Sequence, residues 1–182
     1  MNMEKKFELT DNFIINAFGV KLFQIKCTKS FKYAKEGDLG GYVEKDENLD
    51  QESDAWVSGN AEVSGNAEVY GNAWVSGNAR VSGNAEVYGN AEVYGNARVS
   101  GDAEIDNNNK HCGFDCFGSA NRHTHAYLTK ENKVEITCGC FRGSIEEFEK
   151  RVEETHSGTI YEKQYKAIID VIKIKFGLTD LI

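Results

Sequence analysis

The chain has 182 residues, with 29 acidic and 21 basic side chains, a formal net charge of −8 and no proline. This charge argues against a broad nucleic-acid surface, which needs clustered lysine and arginine. No apolar stretch reaches the roughly 18 residues that would span a bilayer, and the first residues lack the apolar core of a signal peptide, so we expect a cytoplasmic protein without membrane contact.

Residues 1–40 predict a short β layer. Apolar and polar residues alternate before and after Asp11–Asn12, which we interpret as a turn between two short strands. A longer apolar run follows at 20–26. Because stacked strands end in an unpaired edge that needs covering, we expect this layer to cap the segment that follows it.

From Ala55 to Ile105 the unit Ala-x-Val-x-Gly-Asn recurs every six residues. Strand geometry turns each valine to one side and its two neighbours to the other. Gly and Asn then tolerate the left-handed backbone of a tight corner. Three units close a triangular coil of 18 residues, so the repeat predicts a solenoid. Its inward residues are Val57, Val63, Val69, Val75, Val81, Val87, Val93, Val99 and Ile105.

This pattern resembles the hexapeptide-repeat family, in which a small residue follows an aliphatic one four places later, as Ala61 follows Val57. The resemblance implies a mainly β fold, a left-handed parallel β-helix over residues 41–110. Low-complexity disorder is the alternative, but disordered chains lack apolar residues at a fixed phase. The register extends upstream to Val43 and Leu49. Because Leu49 and Val57 are eight residues apart, we predict a two-residue bulge near 51–52.

A second resemblance begins just before the regular repeats. A Gly-Gly-Tyr-Val turn at 40–43 precedes the Trp56–Val57 pair that opens the solenoid. The stretch resembles bacterial and prophage proteins of the hexapeptide-repeat, transferase-like type. Many of these have no established reaction, so the resemblance implies architecture more than activity.

Residues 111–182 predict an α+β module. Strand-like runs on either side of 130–133 indicate a hairpin. A capping box at Ser144 begins a helix that Gly158 stops, and a second amphipathic helix runs from about residue 160 to 176. The run Cys-Gly-Cys-Phe at 138–141 resembles a C-terminal module of phage proteins that lie behind repeat segments.

The coil period also sorts the outward residues into three columns. Two of the columns carry aromatic side chains, which soluble monomers rarely expose. Hexapeptide-repeat proteins commonly form trimers, so we expect a homotrimer that buries an aromatic face. A surface for a host protein or a small nucleotide-like ligand is the alternative. The candidate residues are Trp56, Trp74, Tyr94, Tyr70, Tyr88, Glu68, Glu86 and Glu104.

One column stacks three glutamates, and like charges directly opposite each other are unfavourable. Three interpretations stay open: solvated carboxylates with counterions, a partner arginine or lysine across a subunit contact, and a cation site.

Enzymes with this fold are mostly acyltransferases, in which a histidine acts as general base on an acyl-CoA held between subunits. This chain departs from that pattern, because no histidine precedes residue 111. We therefore favour a protein that is not an enzyme. The C-terminal histidines are His111, His123, His125 and His156.

The five cysteines form no regular framework, which indicates reduced thiols rather than disulfides. Zinc favours four Cys or His ligands in close pairs. Buried apolar thiols are the alternative that we favour, and a cysteine nucleophile with one of the histidines as base is a third. The candidate zinc ligands are Cys112, Cys116, Cys138 and Cys140.

Together these features predict a trimeric, non-catalytic binding or scaffold protein of phage or prophage origin. By analogy alone, the role extends to an inhibitor that sequesters or blocks a host defence component. The two alternatives are an acyl-CoA-dependent acyltransferase and a virion structural module associated with a tail or fibre.

Overall fold

The computed structural model describes residues 5–178. The chain divides into two compact units, residues 1–108 and residues 109–182. The first unit contains the repeats and the second contains a small sheet with two helices. Within residues 5–178, no helix has both the length and the apolar character needed to cross a membrane.

The first unit opens with an antiparallel hairpin of β1 (Phe7–Ile15) and β2 (Lys21–Cys27). The turn predicted at Asp11–Asn12 is wrong, because β1 is continuous through these residues. The pairing register shifts between Leu9 and Phe13, so the extra residues form a β-bulge. Pairing with β2 on both sides of the bulge overrides the local turn propensity.

The hairpin continues directly into the solenoid. Strand β3 (Leu39–Val43) pairs antiparallel with β2 and parallel with a repeat strand. Nine two-residue strands follow: β4 (Trp56–Val57), β5 (Glu62–Val63), β6 (Glu68–Val69), β7 (Trp74–Val75), β8 (Arg80–Val81), β9 (Glu86–Val87), β10 (Glu92–Val93), β11 (Arg98–Val99) and β12 (Glu104–Ile105).

The solenoid is three-sided, as predicted. Its strands stack in the orders β1-β2-β3-β5-β8-β11, β10-β7-β4 and β12-β9-β6. Every repeat valine from Val57 to Val99, and Ile105 after them, is at most 1% exposed, and the repeat alanines are also buried. The core is therefore a narrow apolar column, closed at its first turns by Phe7, Leu22 and Ile25, all 0% exposed.

The bulge predicted near 51–52 is confirmed by the register. Val43 pairs with Val63 and Leu49 with Val69, a separation of 20 residues instead of the 18 that separate Val63 from Val81. The Lys6 ammonium donates to the carbonyls of Ser53 and Ala55 at 2.7 and 2.8 Å. Lys6, directly before the N-terminal hairpin, thus fixes the irregular turn of the solenoid, residues 44–55.

Glycine and asparagine have separate roles at the corners. The repeat glycines have φ between 63° and 74°, whereas the asparagines after them keep negative φ. The asparagine side chains instead bond from one turn to the next, as Asn60 donates to Asn78 at 3.2 Å and Asn78 to Asn96 at 3.3 Å. The left-handed backbone predicted for both corner residues is therefore confirmed for glycine and wrong for asparagine.

The second unit is a four-stranded antiparallel sheet followed by two helices. The elements are β13 (His111–Phe117), β14 (Arg122–Leu128), β15 (Val134–Cys138), β16 (Phe141–Ser144), α1 (Ile145–His156) and α2 (Ile160–Lys175). The predicted hairpin, the capping box at Ser144 and both helices are confirmed. The core between sheet and helices comprises Ala126, Val134, Ile136, Cys138, Ile145, Phe148, Val152, Tyr165, Ile168, Ile169 and Ile172.

Candidate functional site

The three outward columns form with the predicted register. Trp56 pairs with Trp74 and Trp74 with Glu92 on one face. A second face carries Glu62, Arg80 and Arg98, and a third carries Glu68, Glu86 and Glu104. Residues 18 apart therefore stack in one column, and of the three columns only the one with Glu68, Glu86 and Glu104 repeats a single residue type.

The tryptophan face is largely covered by the chain itself. Trp56 is 2% exposed, with the Phe31 ring packed edge-on at 5.4 Å between centroids. Trp56 is thus not a surface residue, in contrast to the exposed column expected from the repeat. Trp74 is 36% exposed, and the Tyr33 ring stacks on it at 6.1 Å. The repeat alone could not indicate this cover, because it comes from the loop after β2.

Tyr94 lies further along the same side of the solenoid and is 63% exposed. The Trp74 indole donates to the Ser58 hydroxyl at 3.0 Å, so its ring is fixed by one neighbour in its own face. Trp74 and Tyr94 together leave a partly open aromatic surface after the covered first turn.

The tyrosine–glutamate face (Tyr70, Tyr88, Glu68, Glu86 and Glu104) is connected from turn to turn by ring stacking and hydrogen bonds. The two tyrosine rings stack at 4.8 Å and 6°. Tyr70 donates to Glu86 at 3.0 Å, and Tyr88 donates to Glu104 at 2.6 Å. Each hydroxyl therefore reaches diagonally to the carboxylate of the next turn, 16 residues ahead.

These bonds change the electrostatics of the face. Burial and the bond to Glu86 raise the pKa of Tyr70, while the bond to Glu104 and then burial raise the pKa of Tyr88 to about 12. Both tyrosines remain donors at neutral pH, so two of the stacked carboxylates accept a hydrogen bond that offsets part of their mutual repulsion. The signal was present in the sequence, because residue i+16 of an 18-residue coil is a diagonal neighbour.

The same face widens into an acidic groove at the start of the solenoid. The groove has a volume of about 560 Å³ and ends at Glu68 and Tyr70. Its remaining acidic lining comes from the irregular turn, and these residues are Asp46, Glu47, Asp50 and Glu52. The groove therefore adds acidic residues to the tyrosine–glutamate face, although one of them, Asp46, is ion-paired with Lys5 at 2.6 Å.

The arginine face (Glu62, Arg80 and Arg98) has the opposite character. An Arg80 guanidinium nitrogen lies 3.2 Å from a Glu62 carboxylate oxygen. Residues 62 and 80 are 18 apart and therefore stack, and the face as a whole carries one acid and two bases.

The candidate zinc ligands differ in their surroundings. Cys138 is buried, accepts a bond from the Thr124 hydroxyl at 3.3 Å and lies 3.7 Å from the Tyr165 hydroxyl. Burial raises the pKa of Cys112 to about 11, which disfavours the thiolate that binds metal. Cys116 and Cys140 are exposed thiols. Across residues 5–178, no three His, Cys, Asp or Glu side chains are grouped as metal ligands.

The histidines form local contacts within the second unit. A ring nitrogen of His111 lies 3.0 Å from one of His125, and His123 lies 2.7 Å from a carboxylate oxygen of Asp115. The fourth, His156, stacks on the Tyr165 ring at 5.5 Å. Three of the four histidines, His111, His123 and His125, therefore lie together on strands β13 and β14.

The repeats are similar to a known solenoid type. The family model of the YdcK β-solenoid repeat matches residues 73–89, the segment that contains β7, β8 and β9. No curated protein matches the chain. The likeness supports a β-solenoid repeat protein, and since it covers less than a tenth of the chain it carries no information on activity.

Proposed function

We propose that the protein is a non-catalytic binding scaffold that assembles as a homotrimer through its tyrosine–glutamate face. The observation that carries the proposal is the pair of stacked tyrosines with hydroxyls bonded to Glu86 and Glu104. A surface that is ordered before binding loses little conformational entropy on association. Tyrosine rings at such a surface supply large contact areas together with a polar tip.

Charge complementarity supports a contact between two different faces. A closed ring of three subunits joins one surface of each chain to another surface of its neighbour. The tyrosine–glutamate face and the arginine face lie on different sides of the same solenoid and carry opposite charge. Placing Arg80 and Arg98 near the glutamate column of a neighbour supplies the partner cations that such a column favours.

The mass of the protein in solution tests this assembly. Light scattering after size exclusion is expected to give three times the chain mass of 20.3 kDa. The double variant Tyr70→Ala/Tyr88→Ala removes the ordered surface, and Glu68→Lys/Glu104→Lys reverses its charge, so both are expected to yield monomers. Tyr94→Ala is the matched control, because it removes an exposed tyrosine from another face. A monomeric native protein would contradict the proposal, as would a trimer that only Tyr94→Ala dissociates.

The trimer leaves the open aromatic surface at Trp74 and Tyr94 for a second protein. The resemblance to phage and prophage proteins suggests a host protein as that partner, and by analogy a defence component that the scaffold sequesters. Quantitative pull-down from bacterial lysate, with wild type against Trp74→Ala, tests this step. Retention of a specific host protein by wild type and its loss from the variant are expected. Equal recovery by both proteins contradicts the assignment.

A further inference from the structure

The second unit contains a cavity that is separate from the solenoid faces. It has a volume of about 330 Å³ and lies where the 118–122 turn, the 138–141 turn and α1 meet the start of α2. This volume is at the small end of the range for metabolite sites. Its charged and aromatic lining residues are Arg122, Arg151, His156, Tyr165, Phe141 and Phe148.

Two arginines, Arg122 and Arg151, line this one cavity, and both are also exposed to solvent. Among residues 5–178, neither Arg122 nor Arg151 has a carboxylate within ion-pair distance. Two cations that line one cavity and lack a carboxylate partner among these residues favour an anion, and arginine is the side chain best suited to carboxylate and phosphate oxygens.

The turn between β15 and β16 determines where Arg122 lies. Gly139 has φ +62°, and a Cβ built on it would come within 2.9 Å of the Arg122 Cδ and Cζ atoms. The arginine side chain therefore rests directly on the glycine backbone. Any larger residue at 139 would displace the guanidinium, so the absence of a side chain at Gly139 leaves room for Arg122 at the cavity.

Another part of the lining is aromatic. Phe148 contacts Phe141 at 5.0 Å and Tyr165 at 5.6 Å between ring centroids. His156 also stacks on Tyr165, at 5.5 Å between ring centroids. Burial and the neighbouring Cys138 thiol raise the pKa of Tyr165 to about 12, so its hydroxyl stays protonated. The aromatic wall fits a planar apolar body, while the arginines fit an acidic group attached to it.

We propose that this cavity binds a small aromatic anion. Its carboxylate or phosphate group lies at Arg122 and Arg151, and its ring packs against Phe141, Phe148 and Tyr165. The carboxylate and phosphate options share this chemistry and are distinguished by the probes used in the test. The inference concerns the second unit alone, so it stands or fails separately from trimer formation.

Calorimetric titration of the full chain tests the site with phenyl phosphate, benzoate, phenol and inorganic phosphate. We expect phenyl phosphate or benzoate to bind, with the tighter of the two identifying the acidic group, and phenol and inorganic phosphate to bind at least about tenfold more weakly. Arg122→Gln and Arg151→Gln should each lower the affinity for the probe that binds by about tenfold, because each removes a charge-assisted hydrogen bond.

Lys150→Gln is the matched control, since it removes an exposed positive charge from α1 beside Arg151 but outside the cavity lining. It should change the affinity by less than about twofold. The helical circular dichroism of each variant confirms that the unit is folded. The proposal is overturned if neither aromatic anion binds at millimolar concentration, if inorganic phosphate binds as tightly as phenyl phosphate, or if the arginine variants weaken binding no more than Lys150→Gln.

Discussion

The solenoid and the C-terminal unit reach an ordered structure in opposite ways. In the solenoid each residue type repeats one role at every turn, so Val63, Val81 and Val99 are equivalent core residues. In the C-terminal unit each contact occurs once, as when Cys138 lies between Thr124 and Tyr165. Repetition makes a surface of uniform character, whereas single contacts make a cavity with unlike groups around it.

The two units can be followed by separate spectroscopic signals. Both tryptophans of the chain, Trp56 and Trp74, lie in the solenoid unit. Both α-helices of the described residues lie in the C-terminal unit. Tryptophan fluorescence therefore reports the first unit and circular dichroism at helical wavelengths reports the second.

The largest effect is expected from the buried tryptophan of the solenoid. Trp56→Ala should lower the free energy of unfolding by about 4 kcal/mol, because it leaves a large cavity beneath Phe31. Trp74→Ala, at the stacked and half-open position, should cost about 1 kcal/mol. Urea unfolding followed by the remaining tryptophan gives both values. Equal losses at the two positions would show that the Phe31 cover contributes little.

A core substitution in the C-terminal unit is expected to affect only its own signal. Ile169→Ala should cost about 3 kcal/mol by leaving a cavity between α2 and the sheet, seen as an earlier loss of helical circular dichroism. Ile174→Ala on the same helix is the control, since Ile174 is 65% exposed and should change stability by less than about 0.5 kcal/mol. An equal shift in the fluorescence midpoint would show that the two units unfold together, contrary to this comparison.

Alanine substitutions at two corner glycines distinguish the cost of backbone strain from the cost of crowding between turns of the solenoid. Alanine at Gly83 must adopt φ +74° and place its Cβ 2.8 Å from the Gly101 nitrogen, whereas at Gly95 (φ +68°) no atom lies within 4 Å. Gly95→Ala should cost about 1 kcal/mol for the conformation alone. Gly83→Ala should cost about 2 kcal/mol, since the stacked turn must also shift. Identical costs in thermal unfolding would mean that neighbouring turns separate easily at their corners.

The fold of the solenoid could be predicted because its six-residue period determines the strand register, which side chains point outward and which residues form the core. The bulge could also be predicted, since Leu49 and Val57 are two residues further apart than the repeat spacing. Contacts between the repeats and the rest of the chain could not be predicted. Phe31 reaches Trp56 from a loop whose path depends on the N-terminal hairpin, and no local pattern encodes that path.

The C-terminal cavity shows the same limit more strongly. Sequence patterns identified the hairpin, the capping box and both helices, because each is a local signal. Arg122 and Arg151 meet at one cavity only after the sheet and helices pack. The paired cysteines predicted a zinc site, whereas the cavity that Cys138 and Cys140 line also contains Arg122, Arg151 and several aromatic residues.

The smallest effect concerns the lysine that holds the irregular turn. Burial lowers the pKa of Lys6 to about 8, with Asp50 and Asp54 opposing the shift. An unfolded lysine titrates near 10.4, so between these values the unfolded chain binds more protons. Stability then rises with pH. We expect the free energy of unfolding to increase by about 1 kcal/mol from pH 7 to pH 9. This pH interval lies below the range in which Tyr70 and Tyr88 titrate.

Lys6→Met isolates this contribution, because every other titrating group is shared by the two proteins. The variant loses the bonds to Ser53 and Ala55 and is expected to be less stable at each pH, but that loss is a constant offset. The informative quantity is the difference in slope between wild type and variant, measured by urea unfolding with tryptophan fluorescence. Parallel slopes would place the Lys6 ammonium in a solvated environment, and the hairpin would then fix the irregular turn through the Gln51 amide, which bonds to the backbone of Lys6 and Phe7.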